Sequence, residues 1–267
     1  MSAIEVERKR GVAPADFIRD HLTGVGVPAV VTDAIDAWPA REKWTLARFK
    51  AAYGSDLVPV LAERSDGASR VTKLAWFVDF LGAPDRGLPG FWVDADSRPL
   101  RTAPAEPSGP YYLMAWRAFR RHPELYDDIA PAPSFVADWQ RALDPEERER
   151  LEAAHERDYS AIYIGAEGTL SRLHQDYGHT HACLHQIAGH KHCVLYAPGD
   201  VERRTPYECV IGPGDTLFMP PDWWHEVRGL DPTITVSHNF FNDTNVDAHL
   251  SGVPSTCRSV STGARAR

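Results

Sequence analysis

THACLHQIAGHKHCVLYAPGD, residues 180–200, has the pattern of two β-strands around a glycine-containing turn. Segments of the same kind recur on both sides of it, as YSAIYIG, ECVIGPGDTLFMP and TITVSHNFF. Short strands at roughly regular spacing, separated by glycine and proline, are typical of a β-sandwich or barrel. The sequence therefore predicts a mainly β fold from about residue 159 onward.

Before residue 158, helix-like segments alternate with short apolar runs. Pro14 stands near one helix start, Thr45 is placed to cap LARFKAAY, which Gly54 stops, and Thr72 is placed to cap KLAWFVDFLG. PAVVTDA and LVPVLAE are expected to be strands, and DPEERERLEAAHERD an exposed helix. These elements predict flanking helices around the β core.

No serine- or glycine-rich linker divides the chain, so one folding unit is expected. We expect a short N-terminal extension, then a single domain, then a disordered tail. Within the domain, a helical and mixed part should pack against a metal-binding β core. The predicted bounds are 1–12 for the extension, 13–250 for the domain, 13–158 and 159–242 for its two parts, and 251–267 for the tail.

Composition narrows the class of protein. The 267 residues are 43% hydrophobic and 25% charged with a formal net charge of -8, so nucleic acid and anionic membranes are poor default partners. The charged N-terminus lacks the apolar core of a signal peptide, and the four cysteines form no CxxC pair. We expect a cytoplasmic protein and, with no obvious dimerisation helix after residue 250, a monomer.

The stretch LHQDYGHTHACLH, residues 173–185, concentrates side chains that can bind a metal. Residues i and i+2 of a strand point to the same face. Spacing alone leaves several pairs open: His174 with Asp176, His179 with His181, His181 with Cys183, and His190 with His192.

The strongest distant partner is His225 in PGDTLFMPPDWWHEV, where a strand ends at two prolines just before it. Together with His174 and Asp176 it would make two histidines and one carboxylate. That set is the facial triad of non-haem Fe(II) oxygenases, which leaves three coordination positions open. Three histidines would suit catalytic zinc better, and a cysteine-rich set structural zinc. His179 and His181 are expected in a turn or beside the triad.

Two blocks, GTLSRLHQDYGHTHACLHQIAGHKHCVLYAP and GPGDTLFMPPDWWHEVRGLDPTITVSHNF, resemble the core of the JmjC or cupin-like Fe(II)- and 2-oxoglutarate-dependent oxygenases. VPAVVTDAIDAWPAREKWTLARFKAAYG is similar to the opening of that family, so the resemblance covers about residues 13–242. The seventeen-residue step from His174 to Lys191 is most similar to the branch that contains the Jumonji lysyl hydroxylases. The resemblance implies a double-stranded β-helix, or jelly-roll, core.

The resemblance also implies roles for individual residues. His174, Asp176 and His225 match the iron ligands, and Lys191 matches the lysine that pairs with the distal carboxylate of 2-oxoglutarate. The positions that match polar groups around the same cosubstrate are Ser171, Ser237, Asn239 and Tyr112, with Tyr111 as a possible replacement for Tyr112. Leu184 departs from the family, since relatives in this branch carry an asparagine there.

The implied activity uses Fe(II), 2-oxoglutarate and O₂ and releases succinate and CO₂. The HxD motif and Lys191 resemble the hydroxylases more than the histone demethylases, so we expect hydroxylation of an amino-acid side chain. The substrate is a free amino acid or small metabolite, or a residue in a peptide or protein, and the compact chain slightly favours a small one. The alternative is a metal-binding cupin without oxygenase activity, holding zinc or manganese for isomerase- or hydrolase-like chemistry or simply a ligand.

Overall fold

The computed structural model describes residues 3–62, 68–102, 110–139, 146 and 159–252. Most of the helix expected at DPEERERLEAAHERD lies outside these residues, as does the predicted tail from residue 253 onward. Residues 251 and 252 belong to a helix rather than to that tail. Within the described residues, no helix is long and apolar enough to cross a membrane.

The helices are short and lie mainly in the first half of the chain. Thr45 accepts a hydrogen bond from the Arg48 amide and caps the helix Leu46–Tyr53, as predicted. The predicted cap at Thr72 is wrong, because the preceding strand runs through Thr72 to Lys73 and Lys73 itself is the N-cap of the helix Leu74–Gly82. The helices are α1 (Pro14–Phe17, continued by a π-helical turn at Ile18–Leu22), α2 (Ala40–Lys43), α3 (Leu46–Tyr53), α4 (Leu74–Gly82), α5 (Ala118–Arg121), α6 (Leu125–Asp128) and α7 (Val246–Gly252).

The strands form two sheets. The smaller sheet has the order β1-β12-β11-β14-β9, and the larger has the order β2-β3-β13-β10-β15-β8-β7-β4-β5-β6. The strands are β1 (Ile4–Glu5), β2 (Arg8–Lys9), β3 (Ala29–Val31), β4 (Leu57–Ala62), β5 (Ser69–Lys73), β6 (Phe91–Val93), β7 (Tyr111–Trp116), β8 (Ser160–Gly165), β9 (Leu170–His174), β10 (His181–Ala188), β11 (Lys191–Tyr196), β12 (Tyr207–Ile211), β13 (Thr216–Met219), β14 (Trp224–Gly229) and β15 (Thr233–Phe240).

The two sheets pack face to face in a jelly-roll core. Between them lies an apolar cluster to which both sheets contribute, with Cys193, Leu195 and Val227 from the smaller sheet and Leu217 and Met219 from the larger. Alternation along each strand sends one set of side chains into this interior and the other set outward. The predicted mainly β fold with a jelly-roll core is confirmed.

The outer face of the larger sheet is covered by the N-terminal helices. A second, larger cluster joins Phe49 of α3 and Phe77 of α4 to the strand residues Leu113, Ile162 and Val236. Because both faces of this sheet are buried near β8 and β15, the strands that carry the polar interior residues have a rigid backing.

Candidate metal centre

His174, Asp176 and His225 converge at one end of the jelly roll. His174 is the last residue of β9 and lies directly opposite His225 of β14 in the antiparallel ladder, while Asp176 follows two residues beyond the end of β9. Each residue offers one ligand atom, and these atoms all lie within 4.8 Å of one another. The structure therefore brings the three predicted metal ligands together.

Both imidazoles are oriented by backbone carbonyls. Nδ1 of His174 lies 2.7 Å from the Arg172 carbonyl oxygen, and Nδ1 of His225 lies 3.1 Å from that of Trp223. A carbonyl oxygen can only accept, so each Nδ1 carries the proton and each Nε2 presents its lone pair.

The separations between the carboxylate and the two imidazoles fit a single metal ion. Oδ1 of Asp176 lies 3.7 Å from Nε2 of His174 and 3.8 Å from Nε2 of His225. Two atoms that share an ion at about 2.1 Å from each cannot be more than about 4.2 Å apart, and both distances meet this limit. The donor set of two nitrogens and one carboxylate oxygen suits a divalent transition metal with open positions.

Asn239 fixes the other oxygen of the aspartate. Its Nδ2 donates to Oδ2 of Asp176 at 2.9 Å and lies 3.0 Å from Oγ1 of Thr180. The family resemblance predicts Asn239 beside the cosubstrate, whereas the structure places its amide against the predicted metal ligand Asp176. This contact leaves Oδ1 of Asp176 to face the two imidazoles.

The centre is buried on one side and open on the other. The His225 side chain is 6% exposed, the Asp176 side chain 22% and the His174 side chain 45%. Burial lowers the pKa of His225, with the negative charge of Asp176 opposing that effect. A neutral imidazole is the form that binds metal, so burial keeps this side chain ready to do so.

A β-bulge aligns the metal centre with the cavity behind it. Three residues of β14, from His225 to Val227, oppose four residues of β9, from Ser171 to His174. One extra residue on a strand turns the following side chains to the other face. The bulge therefore allows Ser171 and His174, three positions apart, to line the same cavity.

Lys191 lies in that cavity. The residue is 2% exposed, and its Nζ donates to the Tyr112 hydroxyl at 3.0 Å. The rings of Tyr112 and Tyr163 also face Nζ, with centroids at 5.4 and 5.8 Å. Burial lowers the pKa of Lys191 to about 8, and no carboxylate in the described part of the chain forms an ion pair with it.

The hydroxyl groups predicted around the cosubstrate lie in the same cavity. Tyr112 and Ser171 both line it, and burial raises the pKa of Tyr112 far above its ordinary value, which keeps the phenol protonated. Ser237 lines the cavity opposite Leu184 in the ladder between β15 and β10. Tyr111, by contrast, packs edge-on against Phe80 on the other side of the sheet.

Three further residues line the cavity and were not identified from the sequence. They are Tyr163, Met219 and Val227. Tyr163 could have been found, because alternation along YSAIYIG places it on the face opposite the core residues Ile162 and Ile164. The signal for Met219 and Val227 is weaker, since apolar residues are expected on the interior face of any sandwich strand.

Comparison with known proteins identifies the family. The model of the family described as "Cupin-like domain" matches residues 14–205 and 201–246 of this chain. The match includes every residue of the triad, together with Lys191 and the other polar residues of the cavity.

Curated relatives match most of the chain at low identity. The chain is 27% identical over 271 residues to lysine-specific demethylase JMJ30 of Arabidopsis thaliana, covering 89% of this chain and 55% of that protein. It is 25% identical to the 2-oxoglutarate and iron-dependent oxygenase JMJD4 of Gallus gallus, covering 87% and 59%. It is also 25% identical to the bifunctional arginine demethylase and lysyl-hydroxylase psr-1 of Caenorhabditis elegans, covering 82% and 57%. The chain thus spans between half and three-fifths of the length of these relatives.

Proposed function

The chain belongs to the cupin-like domain family, and on that premise we propose that it is an Fe(II)- and 2-oxoglutarate-dependent oxygenase that hydroxylates an amino-acid side chain. The observation that carries the proposal is a single cavity that combines a candidate metal site with a buried lysine able to bind an anion. His174, Asp176 and His225 stand where it opens, and Lys191 lies inside it without a carboxylate partner among the described residues.

The donor set fits Fe(II). Two imidazoles and one carboxylate leave three positions of an octahedral ion open, enough for a bidentate keto acid and O₂. When bound, iron and 2-oxoglutarate would activate O₂, which is the oxidant: one of its oxygen atoms would enter the C–OH product and the other would enter succinate as 2-oxoglutarate loses CO₂. A relative at 25% identity carries both cofactors in its name.

This chain's residues hold and orient the cosubstrate. A buried ammonium group without an anionic partner is costly, and a dicarboxylate supplies the missing charge. In our proposal Lys191 binds the distal carboxylate, and the hydroxyl groups of Tyr112 and Ser171 hydrogen-bond beside it. The apolar side chains of Leu184 and Val227 line the same cavity and exclude water.

We propose that the substrate is a residue of a peptide or protein rather than a free amino acid. The metal centre is reached from the surface, since the His174 side chain is 45% exposed and the neighbouring Tyr177 is 55% exposed. A side chain that projects from a peptide can approach such a rim. Relatives named for lysyl hydroxylation and for demethylation of lysine or arginine support this class over the small substrate that chain length slightly favoured.

Turnover experiments test the proposal. Purified protein with Fe(II), ascorbate and 2-oxoglutarate is incubated with lysine- and arginine-containing peptides, with and without methylation. We expect succinate that depends on iron and a peptide heavier by one oxygen atom, with both products absent in Asp176→Ala. Demethylation alone would overturn the hydroxylase assignment. Tight zinc binding with no succinate would favour the non-oxygenase metal-binding cupin.

A further inference from the structure

The aspartate of the metal centre lies outside the strand ladder. Pairing between β9 and β14 fixes His174 against His225, but Asp176 follows the last paired residue of β9. Its position depends on the turn at residues 175–180, which joins β9 to β10. Whatever holds this turn sets the distance from the carboxylate to His225.

One side of the turn is held by helix α7 and the residue that precedes it, Asn245. The Gly178 carbonyl accepts from Nδ1 of His249 at 2.7 Å, and the His179 carbonyl accepts from Nδ2 of Asn245 at 2.8 Å. Both side chains are buried. The backbone of this turn is unusual, since Gly178 has φ of 76° and His179 has φ of 51°. A non-glycine residue adopts a left-handed conformation at a cost of about 1–2 kcal/mol, so its surroundings must impose it.

The other side of the turn is linked to the segment that leads into β14. Asp222 places its carboxylate oxygens 2.8 and 2.9 Å from Nδ1 of His179, and its carbonyl accepts from Nε2 of Gln175 at 2.6 Å. Asp222 also has a left-handed backbone, with φ of 63°. It lies three residues before His225. These contacts therefore join the segment that carries Asp176 to the segment that carries His225.

We propose that the His179–Asp222 pair is a positioning contact that sets the separation of Asp176 from His225 and thereby the affinity of the centre for its metal. The inference rests on the proposed function only in requiring that the triad binds a metal. Hydrogen bonds from helix α7 and Asn245 hold one side of the turn, and hydrogen bonds to Asp222 hold the other side. Outer groups that orient metal ligands commonly change metal affinity by tenfold or more.

Because the side chains of His179 and Asp222 are exposed, an effect of this pair on metal affinity can be distinguished from an effect on folding stability. The side chains of His179 and Asp222 are 46% and 40% exposed. Ion pairs in such positions contribute about 0–1 kcal/mol to folding. Loss of the pair is therefore expected to leave the thermal unfolding of the metal-free protein nearly unchanged while it weakens metal binding.

The chain offers a matched control pair. Nδ1 of His190 lies 2.7 Å from Asp231, and these side chains are 52% and 40% exposed. The pair lies near Gly229, at the opposite end of β14 from His225. Oδ1 of Asp231 also accepts from the His190 backbone amide at 2.6 Å, so Asp231→Gly removes at least as much local structure as Asp222→Gly and is a stringent control for any general effect.

The experiment measures Co(II) affinity by calorimetry and the Co(II) visible spectrum for the whole chain. Asp222→Gly removes the carboxylate and tolerates the left-handed backbone, while Asp222→Asn keeps a carbonyl oxygen that can accept from His179. We expect Asp222→Gly to weaken binding about tenfold and alter the spectrum. We expect the Co(II) affinity of Asp222→Asn to stay within about threefold of the wild-type value. We expect Asp231→Gly to bind Co(II) with wild-type affinity.

The outcomes distinguish this inference from the function itself. Wild-type affinity in Asp222→Gly, or equal weakening in Asp231→Gly, would overturn the positioning role while leaving the metal centre intact. Failure of the wild type to bind Co(II), with Asp176→Ala behaving identically, would instead remove the metal centre on which both proposals depend.

Discussion

Lys191 and Tyr112 come from opposite sheets and meet inside the jelly roll, with Nζ 3.0 Å from the phenolic oxygen. Among the described residues, the buried ammonium group of Lys191 has one hydrogen-bond partner, this neutral hydroxyl group. Such an arrangement is costly in the free protein and favourable once an anion enters. It gives the cavity a preference for a carboxylate that is independent of the metal.

The affinity for 2-oxoglutarate should fall at alkaline pH. Burial lowers the pKa of Lys191 to about 8, so above that pH the free protein must take up a proton before it can pair with the dianion. Calorimetry with Mn(II)-loaded protein should show binding roughly tenfold weaker at pH 9 than at pH 7. In Lys191→Met, binding should be weak at both values. Equal wild-type affinities at the two pH values would contradict this role of Lys191.

The same lysine should destabilise the protein when no ligand is bound. Its pKa falls from 10.5 to about 8 on folding, which corresponds to about 3 kcal/mol against the folded state at pH 7. Between pH 8 and 10.5 the unfolded chain binds more protons than the native one, so stability rises with pH in that window. Denaturant unfolding should find Lys191→Met more stable than the wild type at pH 7, with the difference shrinking toward pH 10.5. If Lys191→Met were less stable than the wild type at pH 7, the predicted destabilisation by the buried ammonium group would be wrong.

An amide at position 184 should strengthen cosubstrate binding. Leu184 lines the cavity where the resembling enzymes carry an asparagine, and it lies opposite Ser237. One added hydrogen bond to a carboxylate contributes about 1 kcal/mol, so Leu184→Asn should bind 2-oxoglutarate about fivefold more tightly. Leu184→Ala serves as the control for lost packing and should not gain affinity. Equal or weaker binding in Leu184→Asn would show that another group already satisfies the cosubstrate there.

The amide of Asn239 should matter for the metal more than for 2-oxoglutarate. Because Nδ2 donates to Oδ2 of Asp176, Asn239→Ala should weaken Co(II) binding about tenfold. Thr180→Val removes the second contact of the same amide and should have a much smaller effect. If 2-oxoglutarate affinity at saturating metal falls while Co(II) affinity is unchanged, Asn239 acts on the cosubstrate, as its strand position first indicated.

Local rules predicted most of the fold. Thr45 and Gly54 bound α3 because capping and helix termination depend on neighbouring residues alone. After residue 158, short β-rich segments separated by glycine and proline identified the strands. The prediction for Thr72 failed because β5 continues into α4 without a break, and strand pairing with Val58 decides the backbone there. The domain bounds, cytoplasmic location and monomeric state remain predictions.

The parts of the candidate site that depend on strand-pairing register could not be predicted from the sequence. His174, Asp176 and His225 could be found because metal-binding side chains are rare and their spacing is restrictive. The bulge that turns Ser171 into the cavity, and the contact between Asn239 and Asp176, depend on how separate strands pair. A shift of one residue reverses every side chain, and no local pattern fixes that shift.

Anaerobic reconstitution tests the central claim most directly. Fe(II) is added to the metal-free protein, then 2-oxoglutarate, and the visible spectrum is recorded for the wild type, Asp176→Ala and Lys191→Met. We predict the charge-transfer band of a keto acid chelated to iron in the wild type, no band in Asp176→Ala, and in Lys191→Met a band only at much higher 2-oxoglutarate concentration. Absence of the band in wild-type protein that binds zinc tightly and stoichiometrically would contradict the oxygenase assignment.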